Sequence, residues 1–268
     1  MELPMTNSPP FSVHIVAVND PEAKRALELE ASLFFKEFGN TSEQLAEEYG
    51  PYEHYGVVIY VADNLNNTTA GLTRIIMPND RVGLKTVNDI KKLWPELYAD
   101  PEVVRTLLTG RDCWDIGTLV IAPEYQAPLA AGLVSLALYQ SVARLAQRCQ
   151  VNILIALVDN IVHRMTHWKF HAPFEAIPGA MVKPYLGSKA SLPVYSRISE
   201  WETRLHKVDT TLHDIIFNAS GIEGAVAPLP IDSAMTIIDD VGKVVDVREL
   251  SLEEYSANPT TDTHLVNP

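Results

Sequence analysis

Phe11, Val13 and Ile15 alternate with Ser12, His14 and Val16, a period of two that predicts a strand over residues 11–18. Asp20-Pro21-Glu22 is a helix start, an aspartate cap with proline in the first position. The helix should run to about Phe38 with Leu27, Leu33, Phe34 and Phe38 on its buried side, and Gly39-Asn40 closes it. Thr41-Ser42-Glu43-Gln44 begins a second, short helix to about Tyr49, before Gly50-Pro51 breaks the chain. Residues 56–63 and 70–77 read as an antiparallel hairpin around the turn formers of 64–69. Residues 78–111 are polar, with helical patches at 86–97 and 101–108.

The pattern is strongest over residues 112–160. Residues 114–122 are β-branched and apolar, a strand with one acid, Asp115, near its start; Pro123, which has no N–H for a ladder, ends it. Pro128 suits the first turn of a helix, and Leu129, Leu133, Leu136, Val142 and Leu145 continue it to Arg148 at three- to four-residue spacing. Residues 151–158 hold only one polar side chain, Asn152, as in a strand buried on both faces. Strand, tight loop, helix and strand follow in order, and a helix N-terminus placed just after a strand favours a phosphate. Beyond this unit the pattern predicts a helix over 159–169 and closing strands over 173–183 and 192–198 around Leu186-Gly187-Ser188. A helix over 199–220 and a small hairpin over 236–247 follow, and the final dozen residues are expected to be disordered.

Composition narrows the function. At 268 residues and 47% hydrophobic content, the chain holds one large domain or one domain plus an appendage. A net charge of −13 argues against nucleic acid or an anionic membrane as a general partner. No run of 18 apolar residues offers a membrane span, and the first ten residues lack the basic and apolar regions of a signal peptide, so a cytoplasmic protein is expected. Cys113 and Cys149 fall in or beside core elements and read as buried thiols. Gly-x-Ser-x-Gly, Walker, Cys-x-x-Cys and Rossmann patterns are absent.

The central unit resembles that of the GNAT acyltransferases, in which a strand bearing a carboxylate runs into a (Gln/Arg)-x-x-Gly-x-(Gly/Ala) loop that holds the pyrophosphate of acyl-CoA. The aligned stretch is Gln126-Ala-Pro-Leu-Ala-Ala131, with Leu129 in place of the glycine. Ala70-Gly-Leu-Thr-Arg-Ile-Ile-Met-Pro, Trp114-Asp115-Ile116, Ile161-Val-His-Arg-Met-Thr-His-Trp-Lys-Phe and Tyr185-Leu-Gly-Ser with Leu192-Pro-Val-Tyr resemble, in order and spacing, motifs of the autoinducer synthases and long-chain N-acyl amino acid synthases. The resemblance spans about residues 12–205. It implies an α/β fold, a mixed and mostly antiparallel sheet flanked by helices, as a GNAT-like domain over 11–220 with a partly disordered C-terminal extension over 221–268. It also implies acyl-CoA or an acyl-carrier-protein thioester as donor and an amine, such as an amino acid, as acceptor. A carrier protein presents one phosphate, which the missing glycine tolerates. For the same reason an ordinary acetyl-CoA enzyme is disfavoured.

The candidate residues follow from the two readings together. Asp115, where the resembled families have Glu, is the candidate general base, acting through water on the acceptor ammonium. Arg74, mid-strand and half-buried, needs a partner: a substrate carboxylate or donor phosphate, or else an ion pair with Asp63 or Asp115. Trp114 joins it as a substrate-binding candidate. Many GNAT enzymes protonate the leaving thiolate from a Tyr after the buried strand, and here the neighbourhood offers His163 and His167, four apart on one helix face, with His167 nearer the family's Tyr position. That pair lacks the intervening Glu and third ligand of a metal site, so no metal is expected. The backbone of Gln126, Ala127, Leu129, Ala130 and Ala131 should hold the donor phosphate, with Asn160 nearby, and a strand N–H at Leu119 or Val120 should steady the oxyanion. Autoinducer synthases carry Arg three residues after the strand acid; Thr118 stands there and favours an N-acyl amine product over a lactone. The rival reading is a non-catalytic member of the fold, a sensor of acyl thioesters or an assembly protein.

Overall fold

The structure is a computed structural model and describes residues 8–108, 113–126, 128–171, 174–231, 236–238 and 244–246. In chain order it contains β1 (Phe11–Ala17), α1 (Lys24–Phe38), α2 (Ser42–Tyr49), β2 (Gly56–Asp63), β3 (Thr68–Ile76), α3 (Lys85–Leu93), α4 (Pro101–Val103), β4 (Cys113–Ile121) and α5 (Pro128–Arg148). It continues with β5 (Ile153–Asp159), α6 (Asn160–Phe170), β6 (Glu175–Ala176), β7 (Lys183–Tyr185), β8 (Ser188–Arg197), α7 (Ile198–Val208), α8 (Thr210–Phe217), β9 (Val226–Ala227), β10 (Thr236–Ile238) and β11 (Val244–Asp246).

Local chemistry sets the first boundaries where the sequence places them. The Asp20 carboxylate accepts from the Glu22 N–H at 2.8 Å and starts the turn that leads into α1. Gly39, at φ 75°, closes the helix in the left-handed region, where glycine carries no Cβ penalty. Thr41 and Gln44 form a reciprocal capping box on α2.

One sheet dominates, in the order β6-β8-β5-β4-β3-β2-β1-β9, with β7 also paired to β8. Its pairs are antiparallel except β4 with β5 and β1 with β9. One face packs Val57, Ile59, Ile75, Trp114 and Leu154 against α5, α7 and α8. The other places Val58, Tyr60, Leu72, Ile76, Cys113, Ile153 and Ile155 beneath α1, α2 and α3. Cys113 and Cys149 are thiols, the first buried and the second half-buried. Among the described residues no helix is long and apolar enough to cross a membrane.

Three expectations need correction. The helix begun at 86 ends at Leu93, because Trp94 precedes Pro95 and is pushed out of the helical region, to φ −125° and ψ 52°. The strand over 173–183 is reduced to Glu175–Ala176 and Lys183–Tyr185. Between them Pro178 has no N–H to give and Gly179 turns left-handed at φ 85°, so the long closing strand is β8. The single helix over 199–220 is two, broken where Asp209 leaves helical geometry and its side chain accepts from the Leu212 N–H to start α8. The 236–247 hairpin is seen as β10 paired antiparallel with β11, while its turn and the final dozen residues lie outside the described residues.

Candidate active site

β4 and β5 are parallel neighbours for only three pairs, Cys113 with Ile153, Trp114 with Leu154 and Asp115 with Ile155. Beyond them both strands continue without each other: β4 to Ile121 along β3, and β5 to Asp159 along β8. The sheet therefore splays open, leaving unpaired backbone edges on β4 and β5 in a wedge whose apex is Asp115. The first turn of α5 and Asn160 at the start of α6 stand at its mouth.

Asp115 is fully buried at the apex. Its Oδ2 accepts from the Thr86 backbone N–H at 2.5 Å and its Oδ1 from the Thr86 hydroxyl at 2.8 Å. Leu84, the residue flanking α3, makes no side-chain cap, so the Asp115 carboxylate serves the start of that helix from across the interface. Burial raises its pKa to about 6, against the lowering effect of the two Thr86 bonds and of the Lys85 charge. A carboxyl tuned to that range can exchange a proton near neutral pH.

A polar network spreads from this point over the α1–α2–α3 face. Arg74 is buried and paired with Glu30 of α1 through two hydrogen bonds, and the Thr118 hydroxyl donates to the same carboxylate at 2.5 Å. The partner of Arg74 is thus Glu30, and neither Asp63 nor Asp115. Asp63 instead accepts from the Leu65 and Asn66 N–H groups and from the Tyr125 hydroxyl. Lys85 reaches Glu48 at 2.8 Å, Asp89 at 2.7 Å and the Tyr185 hydroxyl at 2.5 Å, which matches its three donors. Burial pulls the Lys85 pKa down, but Asp89 and Glu48 outweigh it and keep the ammonium charged. Tyr49 sits between the two cations, with the Arg74 guanidinium 4.5 Å and the Lys85 ammonium 5.1 Å from its ring centre. Its hydroxyl donates to the Gly117 carbonyl at 2.9 Å.

The other candidates fall on either side of the wedge. Trp114 lies in the core on the α5 face, opposite Asp115. The Ala122 N–H donates to the Ala70 carbonyl, so by strand alternation the N–H of Val120 also points into the β3 ladder and that of Leu119 points to the open edge. Leu119 is one of the exposed large apolar side chains. Gln126 folds back, its side-chain amide donating to the Ile121 carbonyl at 2.9 Å. Leu129, Ala130 and Ala131 form the first turn of α5, where backbone N–H groups lack helical partners; Ala127 lies outside the described residues. Asn160 opens α6, which Asp159 caps by accepting from Ile161 N–H. His163 is half-buried with its ring nitrogen 2.5 Å from the Phe174 carbonyl, whereas His167, a turn further, is exposed. Among the described residues no group of His, Cys, Asp and Glu is arranged to hold a metal ion.

The sequence reading missed Glu30, Tyr49, Lys85, Thr86 and Asp89. Each sits among ordinary helix residues, and only a buried charge with no local partner, Arg74, signalled that such partners were needed.

No family model matches the chain, and comparison with curated proteins finds no match. Among solved structures it is similar to a CoA-dependent acyl-homoserine lactone synthase, BjaI, solved with SAM and isopentyl-CoA, at TM-score 0.52 and 14% identity over 90% of this chain and 97% of that one. It is similar to the acyl-homoserine lactone synthase LasI at TM-score 0.52 and 13% identity, over 70% of this chain and 90% of that one. A third is FeeM, an N-acyl amino acid synthase from uncultured soil microbes, at TM-score 0.51 and 14% identity, over 73% of this chain and 95% of that one. At such identity the likeness is one of fold, and the chain has the GNAT-like acyltransferase fold that its sequence predicts.

Proposed function

We propose that the chain transfers an acyl group, of the long-chain class, from an acyl-CoA or acyl-carrier-protein thioester to an amine such as an amino acid. The observation that carries this reading is the wedge between β4 and β5, open from a buried carboxyl whose pKa is raised to about 6. The architecture is shared with synthases of acyl-homoserine lactones and N-acyl amino acids, one of them solved with SAM and isopentyl-CoA. In this reading the pantetheine enters the wedge, the phosphate rests on the first turn of α5 formed by Leu129 to Ala131, and the thioester carbonyl accepts from Leu119 N–H. The acceptor ammonium loses its proton to Asp115 through the Thr86 hydroxyl or a water. The free amine attacks the carbonyl carbon and the tetrahedral oxyanion is held at Leu119. The C–S bond then breaks as the carbonyl re-forms, and His167 gives a proton to the departing thiolate. The second proton that the attacking nitrogen must shed passes through water to His167 and restores it.

The second reading is a non-catalytic sensor of acyl thioesters. It is favoured by the complete burial of Asp115, whose two oxygens are both occupied at the start of α3. Native mass spectrometry with acyl-CoA and acyl-carrier protein, followed by mixed amines, separates the two. Retention of a donor that loses its acyl group once amines are added establishes transfer, with a rate that climbs as pH passes through about 6 in wild type and not in Asp115→Asn. Retention without turnover selects the sensor, and retention of neither donor removes both readings.

A further inference from the structure

We propose that Tyr49 is a positioning residue for the donor-binding edge of β4, because its hydroxyl locks the bulge that turns the Leu119 N–H into the wedge. This rests on the acyl-transfer reading and adds to it a residue from a helix that the sequence reading left without a role.

Along β3, Arg74 opposes Thr118 while Ile75 opposes Ile116, so Gly117 is one residue more than the ladder needs. That extra residue decides which way the rest of β4 faces. With Asp115 and Ile116 paired as they are, absorbing Gly117 into the ladder would set it opposite Arg74 and set Leu119 opposite Leu72. The Leu119 N–H would then be spent on β3, and its side chain would pass to the other face of the sheet. With the bulge in place, Leu119 and Ile121 present their backbone groups outward. The Ile121 carbonyl shows that direction, since it accepts from Gln126 outside the β3 ladder.

On the Thr118 side the bulge is held by the Thr73 hydroxyl, which donates to the Thr118 carbonyl at 2.8 Å, and by the Thr118 hydroxyl, which donates to Glu30. At Gly117 itself two features hold it, and both belong to Tyr49. Its hydroxyl donates to the Gly117 carbonyl at 2.9 Å, and its ring lies so close that a Cβ on Gly117 would be 3.1 Å from Tyr49 Cε1. Tyr49 cannot easily swing away. It is 3% exposed, it is the last residue of the capped helix α2, and Arg74 and Lys85 flank its ring. Those two cations are themselves fixed, by Glu30 and by Glu48 with Asp89. The buried network thereby acquires a use. It clamps one tyrosine against the one residue that sets the direction of the donor edge.

The test is proton–nitrogen NMR on full-length protein labelled at glycine and leucine, wild type against Tyr49→Phe, titrated with decanoyl-CoA. In the free variant the Gly117 amide should exchange with solvent about ten-fold faster. On titration, the donor-induced shift of the Leu119 resonance should fall about five-fold, the size of one lost hydrogen bond, while most other donor responses persist. If Tyr49→Phe fails to fold, Gly117→Ala, which displaces the same ring by tenths of an ångström, should give the same selective loss at Leu119. Equal Leu119 responses in wild type and variant overturn the inference alone. A wild type in which no amide responds to decanoyl-CoA or, in a parallel titration, to decanoyl-acyl carrier protein overturns the acyl-transfer reading and takes this inference with it.

Discussion

A carboxylate buried in a strand and hydrogen-bonded on both oxygens still pays for leaving water, and at Asp115 that desolvation outweighs the two Thr86 bonds. The sign of the consequence follows from linkage. Between its ordinary value of 3.8 and about 6 the folded protein binds a proton at Asp115 that the unfolded chain does not, so stability from this group grows as pH falls through that window. A shift of this size corresponds to about 3 kcal/mol. Chemical denaturation of wild type and Asp115→Asn at a series of pH values isolates it. The difference in unfolding free energy should move in favour of wild type by about 2–3 kcal/mol between pH 7 and pH 4. A difference that stays flat across that range would mean that Asp115 does not titrate there. At this scale the sequence was informative only where a residue broke its local pattern. Asp115 stands out as one acid in an apolar strand, and Arg74 as a charge in another. Glu30 and Lys85 do not, because each lies in a charged helical stretch where a solvent-facing role is the default, and their burial follows from how α1 and α3 are laid on the sheet.

The elements were read well wherever a residue has backbone chemistry of its own: the Asp20 cap, the Thr41 capping box and the Gly39 closure all end up where expected. They were misread where a periodic pattern ran through a break, at Trp94-Pro95 and at Asp209, or where proline and glycine interrupted an apolar run at Pro178-Gly179. The turn between β7 and β8 shows what pattern alone does not carry. Gly187 lies there at φ 80°, and a Cβ on it would stand 2.3 Å from the Phe38 carbonyl oxygen and 2.8 Å from Phe38 Cβ. The end of α1 therefore rests on this turn, and glycine is required both for its backbone angle and for the contact. Gly83 provides the comparison, since it has φ 69° but only the Asn88 side chain within reach, at 3.8 Å. Gly83→Ala should cost about 1 kcal/mol, the left-handed strain alone, and Gly187→Ala about 2–3 kcal/mol. Urea unfolding of the two variants measures the gap. Equal costs would show that the end of α1 is free to yield.

On the scale of the whole molecule, the sheet is two ladders joined at a short seam. One runs β9-β1-β2-β3-β4 and the other β5-β8 with β6 and β7, and the three parallel pairs from Cys113 to Asp115 connect them. Helix α3 ties the same place from one side: its Thr86 holds Asp115 of the first ladder, while its Ile90 belongs to the apolar cluster that contains Ile153 and Ile155 of the second. The order of motifs along the chain made this architecture legible, since strand, loop, helix and strand recur at fold-compatible spacing even at 14% identity to solved relatives of the fold. The depth of the splay was not legible, because it depends on where pairing stops and not on which residues are apolar. That geometry makes a distinct dynamic expectation. Residues 116–121 and 156–159 carry unpaired edges, so their amides should exchange faster than those of β2 and β3, which are bonded on both sides. A thioester donor seated in the wedge binds only when the edges are in place. At a donor concentration near 100 times its dissociation constant it should slow exchange at these two segments by about 100-fold, equivalent to about 2.7 kcal/mol. Hydrogen–deuterium exchange read by mass spectrometry resolves the two segments from the rest of the sheet. Protection that appears elsewhere and spares both segments would place the donor outside the wedge, and the catalytic assignment of Asp115 and Leu119 would fall with it.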